Sequence, residues 1–164
     1  MTQNKDQISA LWDSITPKLF GYLVNILHDK DVAEDILQTT WLKAIEALPS
    51  FKGQASSFSS WIFAIARNEC KQYWRKLGRE VPFDPQLHDR QATDSKDEDK
   101  ILIGQIMAGL SQNDRELIRL RYIADLPMND IARVLKINPI AVRVRMHRAL
   151  SSAKNVLRNQ SNLY

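Results

Sequence analysis

The sequence predicts an all-α fold: two small helical domains joined by a flexible acidic linker, the C-terminal one containing a helix-turn-helix. Three observations carry this reading. Glycine and proline number only 5 and 6 in 164 residues, whereas an all-β chain needs turn residues every ~8–12 positions. Apolar residues recur at spacings of three and four in both halves of the chain, the signature of amphipathic helices. Between those halves lies a polar stretch with Pro82, Pro85 and the run Asp94-Ser95-Lys96-Asp97-Glu98-Asp99, without apolar periodicity after Leu87. Such a stretch buries too little apolar surface to offset the entropy of ordering. The expected boundaries are therefore 1–79, a linker at 80–100, and 101–164.

In the first half, Leu11, Ile15, Leu19, Tyr22, Leu23 and Ile26 form one helical stripe interrupted by Pro17, which kinks a helix or marks its late start. A second helix is expected over 31–48, with Asp31 as N-cap and Glu34 completing a capping box. Its main face holds Ala33, Ile36, Leu37, Thr40, Ala44, Ala47 and Leu48, while Trp41, Leu42 and Ile45 point elsewhere beside Glu34, Asp35 and Gln38. A helix apolar on two sides is buried outright or docks a second partner; for Trp41, capping a small core is the competing reading. Residues 49–57 form a loop, with Ser56 or Ser57 capping a helix over 58–77 that stops at Gly78. Its core side is Ile62, Phe63, Ala66, Cys70 and Tyr73. The opposite side carries Trp61, Asn68, Lys71, Gln72 and Arg75. Aromatic rings stack on bases, cations neutralise phosphates and amides bond base edges, so this face suits a single nucleic-acid strand. Packing of Trp61 on the preceding loop is an equally open role.

In the second half, Ile101, Ile103, Gly104, Met107 and Leu110 mark one helix, and residues 114–122 another. A short helix follows Leu126-Pro127 and runs through Leu135, and Lys136-Ile137-Asn138 makes a turn. Asn138-Pro139 is an N-cap followed by a first-position proline, a strong start signal. On the last helix, over 139–157, Val142, Met146, Ala149, Leu150, Ala153 and Leu157 pack inward, and Val144, His147, Arg148 and Ser151 face out between Arg143 and Arg145. A short helix, a tight turn and a second helix with exposed basic residues near its start match the helix-turn-helix. Arg143 or Arg148 then meets guanine or phosphate, and Val144 is the right size for a thymine methyl, unless it is simply a lone exposed valine.

Charge and chemistry narrow the function. The net charge is +4; residues 1–80 hold 10 Lys/Arg against 9 Asp/Glu, residues 81–100 hold 3 against 6, and residues 101–164 hold 10 against 4. From Arg133 to Arg158 there are seven basic residues and no acid, a footprint for a polyanion. The one cysteine, Cys70, forms neither an internal disulfide nor a multi-thiolate metal site, and His147 has no partner at ligand spacing. No catalytic constellation, cofactor motif or metal set is found, so a non-enzymatic protein is expected. Neither a membrane-length apolar run nor a signal segment is seen, so a cytoplasmic location is expected.

The order and spacing of several segments resemble the extracytoplasmic-function (group 4) sigma factors of the sigma-70 family. They are Asp31-Val32-Ala33-Glu34-Asp35-Ile36-Leu37-Gln38, Leu48-Pro49-Ser50-Phe51, and the run from Ser57 to Asn68 in the first half. In the second half they are Leu110-Ser111 through Arg115, Leu120-Arg121-Tyr122, Asp130-Ile131-Ala132, and Val142-Arg143 through Arg148-Ala149. The resemblance implies a bacterial initiation subunit with two working domains. Asp35, Gln38, Trp41, Leu42 and Ile45 would dock on the clamp helices of the largest subunit of core RNA polymerase. Phe51, Lys52, Phe58, Trp61, Asn68, Lys71 and Arg75 would melt and hold the −10 element. Arg143, Val144, His147 and Arg148 would read the −35 element of promoter DNA, with the C-terminal domain on the polymerase flap. An anti-sigma factor is implied as a further partner that could hold this cytoplasmic chain at the membrane, without membrane insertion of the chain itself. The chain departs from the family pattern at Ile140-Ala141, where a Gly-Thr pair is usual, at Val144, often a small polar residue, and at Pro127, often a serine cap. A stand-alone helix-turn-helix regulator is the alternative; it would leave the Trp41 and Trp61/Asn68 faces without a purpose.

Overall fold

The computed structural model describes residues 2–78 and 98–162; of the predicted linker at 80–100, residues 80–97 lie outside them and 98–100 already belong to a helix. Helix α1 (Thr2–Leu27) contains Pro17 without ending there. Its stripe of Ile15, Leu19, Tyr22, Leu23 and Ile26 is buried, so the packing of that face outweighs the one hydrogen bond proline forfeits. His28 then turns the chain with φ 52°. Helix α2 (Lys30–Ala47) is capped by Asp29, whose carboxylate accepts from the backbone N–H of Asp31 and Val32 at 3.0 and 3.1 Å. The cap thus lies two residues ahead of the expected Asp31, because the left-handed His28 ends α1 abruptly and leaves Asp29 extended at the start of the next helix.

Two short 3-10 turns, Leu48–Ser50 and Ala55–Ser57, fill the expected loop. Helix α3 (Phe58–Lys76) follows, with Leu77 as C-cap and Gly78 at φ 72°, the left-handed stop only glycine adopts freely. Ser57 precedes α3 without a side-chain capping bond; its hydroxyl donates to Gln54 O instead. Ile62, Phe63, Ala66 and Cys70 are buried as expected, but Trp74 takes the last core position and Tyr73 is only half-buried. Glu69, the one acid in the basic run of α3, points inward and pairs with Lys43 of α2.

In the second half, α4 (Glu98–Ala108) leads to α5 (Gln112–Ile118), capped by Ser111, whose hydroxyl accepts from Asp114 N at 3.2 Å. A π turn, Arg119–Ile123, continues α5. Helix α6 (Met128–Leu135) ends on Lys136 at φ 55°, and α7 (Pro139–Ser161) starts on Asn138, whose Oδ1 accepts from Ile140 N at 2.8 Å. These two helices and their turn form the predicted helix-turn-helix, anchored by Ile131, Val134, Val142, Met146 and Ala149. Leu157, expected inward, is 36% exposed. Among the described residues there is no strand, no helix long and apolar enough to cross a membrane, and no cluster of metal-ligating side chains.

The two halves share one apolar core. The cluster that holds Leu19, Tyr22 and Phe63 continues through Leu117, Leu120 and Ile131 to Val142 and Met146. Across the seam α3 packs on α6, and α1 on the π turn. Arg67 of α3 grips Glu116 of α5 through two nitrogens, the second at 3.3 Å. Arg119 donates to Asn25 of α1 at 2.7 Å, and Lys18 meets Asp125 at 3.1 Å.

Cys70 sits beside this seam. Burial, then the charges of Glu69 and Glu116, push its thiol up to about 12, so the reactive thiolate is scarce at neutral pH. Iodoacetamide should therefore leave Cys70 at least about 100-fold less modified in the native protein than in denaturant. Mass spectrometry of the two states reads this, and native labelling at the free-thiol rate would mean that the seam breathes open.

Candidate functional site

Three surfaces hold the candidate residues. The first is a groove of about 280 Å³ between α1 and α2, walled by Trp12 and Thr16 on one side and Leu37, Trp41, Leu42 and Ile45 on the other. Leu42 and Ile45 are 62% and 58% exposed, with Asp35 and Gln38 also exposed on the same helix. Trp41 departs from the expected exposed face. Its ring is buried, stacked on Trp12 at 4.0 Å between centroids, because an indole that large gains more by covering the α1 surface than by standing in water. Trp12 was not among the residues the sequence singled out. It lies one position off the α1 core stripe, and its pairing with Trp41 depends on how α1 and α2 cross.

The second surface is the 51–57 loop and the outer face of α3. Phe51, Phe58 and Trp61 form an aromatic cluster, with centroids 4.6 Å apart for Phe51–Trp61 and 5.7 Å for Phe51–Phe58. Phe58 is buried, which corrects its placement among strand-contacting residues: it is the floor on which the other two rings rest. Phe51 and Trp61 are half-buried, so packing on the loop and a free ring edge coexist in Trp61. The loop closes over Phe51 only because residue 53 is glycine; a Cβ there would lie 2.5 Å from the Phe51 ring and from Ser57 Oγ. Lys52, Asn68, Lys71 and Arg75 are all exposed. The last three follow Trp61 at intervals of seven, ten and fourteen residues and so share its face. Burial at the seam edge, then the Arg67 charge, pulls the Lys71 ammonium below its ordinary value, while Glu116 opposes this.

The third surface is the outer face of α7. Val142, Met146 and Ala149 are buried, while Arg143, Val144, Arg145, His147 and Arg148 are exposed. At 100° per residue Val144, His147 and Arg148 point away from that core, and Arg143 and Arg145 sit on the flanks. Arg143, Val144, His147 and Arg148 are all solvent-accessible, with Arg143 at the edge of that outer face.

Comparison with known proteins identifies the family. Residues 11–80 match the Sigma-70 region 2 family and residues 100–152 match Sigma-70, region 4. The ECF RNA polymerase sigma factor ShbA of Streptomyces griseus is 31% identical over 130 residues, covering 72% of this chain and 68% of the relative. The chain belongs to the extracytoplasmic-function sigma factors. The RNA polymerase sigma-H factor of Pseudomonas aeruginosa is 29% identical over 85% of this chain and 80% of its own length. Among solved structures, the sigma factor RpoE in complex with the anti-sigma factor NepR from Bartonella quintana superposes with a TM-score of 0.68 at 23% identity, over 92% of this chain and 96% of the other. CnrH in complex with the cytosolic domain of CnrY gives 0.65 at 20% identity, over 97% and 90%. As a sigma factor the protein binds core RNA polymerase and promoter DNA and directs promoter-specific initiation. The sigma family is not a family of catalytic enzymes.

Proposed function

We propose that this sigma factor divides its work between residues 1–79 and residues 101–164. The α1–α2 groove, with Leu42 and Ile45 as apolar anchors and Asp35 and Gln38 beside them, takes the clamp helices of the largest polymerase subunit. Trp41 braces those anchors from beneath. The 51–57 loop and Trp61, Asn68, Lys71 and Arg75 hold the opened −10 strand, with Lys52 on phosphate. Arg143, Val144, His147 and Arg148 read the −35 duplex while the C-terminal domain rests on the flap. The observation that carries this reading is the presence of two separate cationic faces on one chain, of which only the α3 face also offers an aromatic platform and an amide. A stand-alone regulator has use for the α7 face alone. One of the solved complexes that superpose on this chain holds a bound anti-sigma factor, which supports such a partner here; the sigma factor itself would be cytoplasmic and membrane-held only through such a partner.

The shared core adds a condition. Elements named for positions −10 and −35 lie about 25 base pairs apart, roughly 85 Å at 3.4 Å per pair. A compact chain of 164 residues has a radius of gyration near 15 Å and a diameter of about 40 Å. The seam must therefore part before both elements are read together. The 19 residues from 79 to 97 then span at most about 65 Å, enough to bridge the separated halves.

The test is initiation itself. With purified core polymerase and linear promoter templates, the protein should give runoff transcripts, and Asn68→Ala should cut the permanganate-reactive bubble about tenfold, the worth of one good base contact, at unchanged core binding. No stimulation of core on any template, or an unchanged bubble in the variant, would overturn the assignment of the α3 face.

A further inference from the structure

The first turns of α7 carry an apolar crest that a merely phosphate-binding helix does not need. Ile140 is 67% exposed and Val144 46% exposed, although both are β-branched residues that the fold gains nothing by leaving in water. They stand at i and i+4, so their side chains neighbour one another along the helix, about 6 Å apart in rise. The core of α7 faces the opposite way through Val142, Met146 and Ala149. Arg143 and Arg148 flank the crest on its two sides, with His147 one turn beyond. The Asn138 cap and Pro139 fix this first turn.

That surround selects the occupant. No carboxylate occurs between Arg133 and Arg158, where seven Lys and Arg are found, so the complement is anionic and a partner protein's apolar helix is disfavoured. The apolar group that a duplex offers within such a setting is the C5-methyl of thymine, which lines the major groove beside the acceptors that arginine reads. β-Branched side chains have little rotamer freedom to lose on contact. We propose that Ile140 and Val144 together form a methyl-reading pair, selecting two thymines about one to two base-pair steps apart in the upstream element, while Arg143 and Arg148 supply the polar contacts. This rests on the reading of α7 as the duplex-reading helix, and Ile140 becomes a specificity residue that the four polar-face candidates did not include.

The experiment uses holoenzyme reconstituted with core polymerase. Upstream duplexes are selected from a randomised pool, and each thymine in the selected element is replaced singly by deoxyuridine, which deletes only the methyl. Two positions should each lose about three- to fourfold in affinity, the worth of one buried methyl. Ile140→Ala should abolish the sensitivity at one position and Val144→Ala at the other. If no deoxyuridine matters, or the selected element has no thymine, while Arg143→Ala and Arg148→Ala still weaken binding, the methyl pair is wrong and the duplex-reading role of α7 stands. If neither the arginine variants nor deoxyuridine changes binding, the assignment of α7 falls and this inference with it.

Discussion

Leu42→Asp combined with Ile45→Asp should raise the dissociation constant for core polymerase by at least about 100-fold, since a central apolar anchor of an interface is worth 2 kcal/mol or more. Both residues are more than half exposed in the free chain, so the double variant should keep its thermal stability to within about 0.5 kcal/mol per site. The combination discriminates because nothing in the fold leans on these side chains. Trp41→Ala is a poorer probe. Its ring stacks on Trp12 and is buried, so truncation costs about 3–5 kcal/mol of folding energy and lowers binding for uninformative reasons. Competition with a labelled sigma factor for core, alongside thermal unfolding of the free variant, separates the two. A double variant that melts normally and binds core within threefold of the wild type would remove the groove from the polymerase interface.

Much of this was legible in the residues. The stripe on α1, the inner face of α3 and the Asn138-Pro139 start of α7 follow from periodicity and capping chemistry, which are local. The exposed sides of α3 and α7 were legible for the same reason, because an outward face is what remains once the inward one is known. What the sequence did not disclose depends on pairs distant along the chain. Trp12 meets Trp41 across 29 positions, and Phe58 is buried beneath Phe51 through a loop that closes only because residue 53 is glycine. The cap of α2 moved from Asp31 to Asp29 because His28 entered the left-handed region, which one residue's identity does not announce. The largest omission is the seam. Two periodic halves and an acidic interval read as separate domains, yet Arg67, Asn25 and Lys18 reach across to Glu116, Arg119 and Asp125. Each of those residues reads equally well as a solvated surface polar group when its partner is unknown.

Reversing the charge at the seam should open the molecule. Glu116 is the only carboxylate among the described residues lining the 170 Å³ cavity between the halves, and Arg67, Lys71, Arg115 and Arg119 line the same cavity. It holds Arg67 with both carboxylate oxygens, and although burial alone would lower the Arg67 guanidinium, the bond and charge of Glu116 keep it above its ordinary range. Burial pulls Arg119 down to about 10, with Arg115 adding to the shift and Tyr22 and Glu116 opposing it. Glu116→Lys replaces that carboxylate with another cation, and a pair three-quarters buried on each side lies between the exposed and buried limits, so a cost of about 1–3 kcal/mol is expected. Lys18→Ala, which removes only the exposed pair with Asp125, should change little. An independent wedge is available at Gly21, where an added Cβ would lie 3.7 Å from Ile123 Cγ2: Gly21→Ala fits, whereas Gly21→Phe must push the π turn away from α1. Small-angle scattering should show the radius of gyration rising from about 15 Å to more than about 20 Å in Glu116→Lys and Gly21→Phe, and not in Lys18→Ala or Gly21→Ala. If the closed seam holds the two DNA faces too close for one promoter, the opened variants should also initiate at lower core concentration. Variants that open in scattering yet initiate no better would show that the polymerase parts the seam without help. Variants that unfold cooperatively rather than open would show that the halves are a single folding unit.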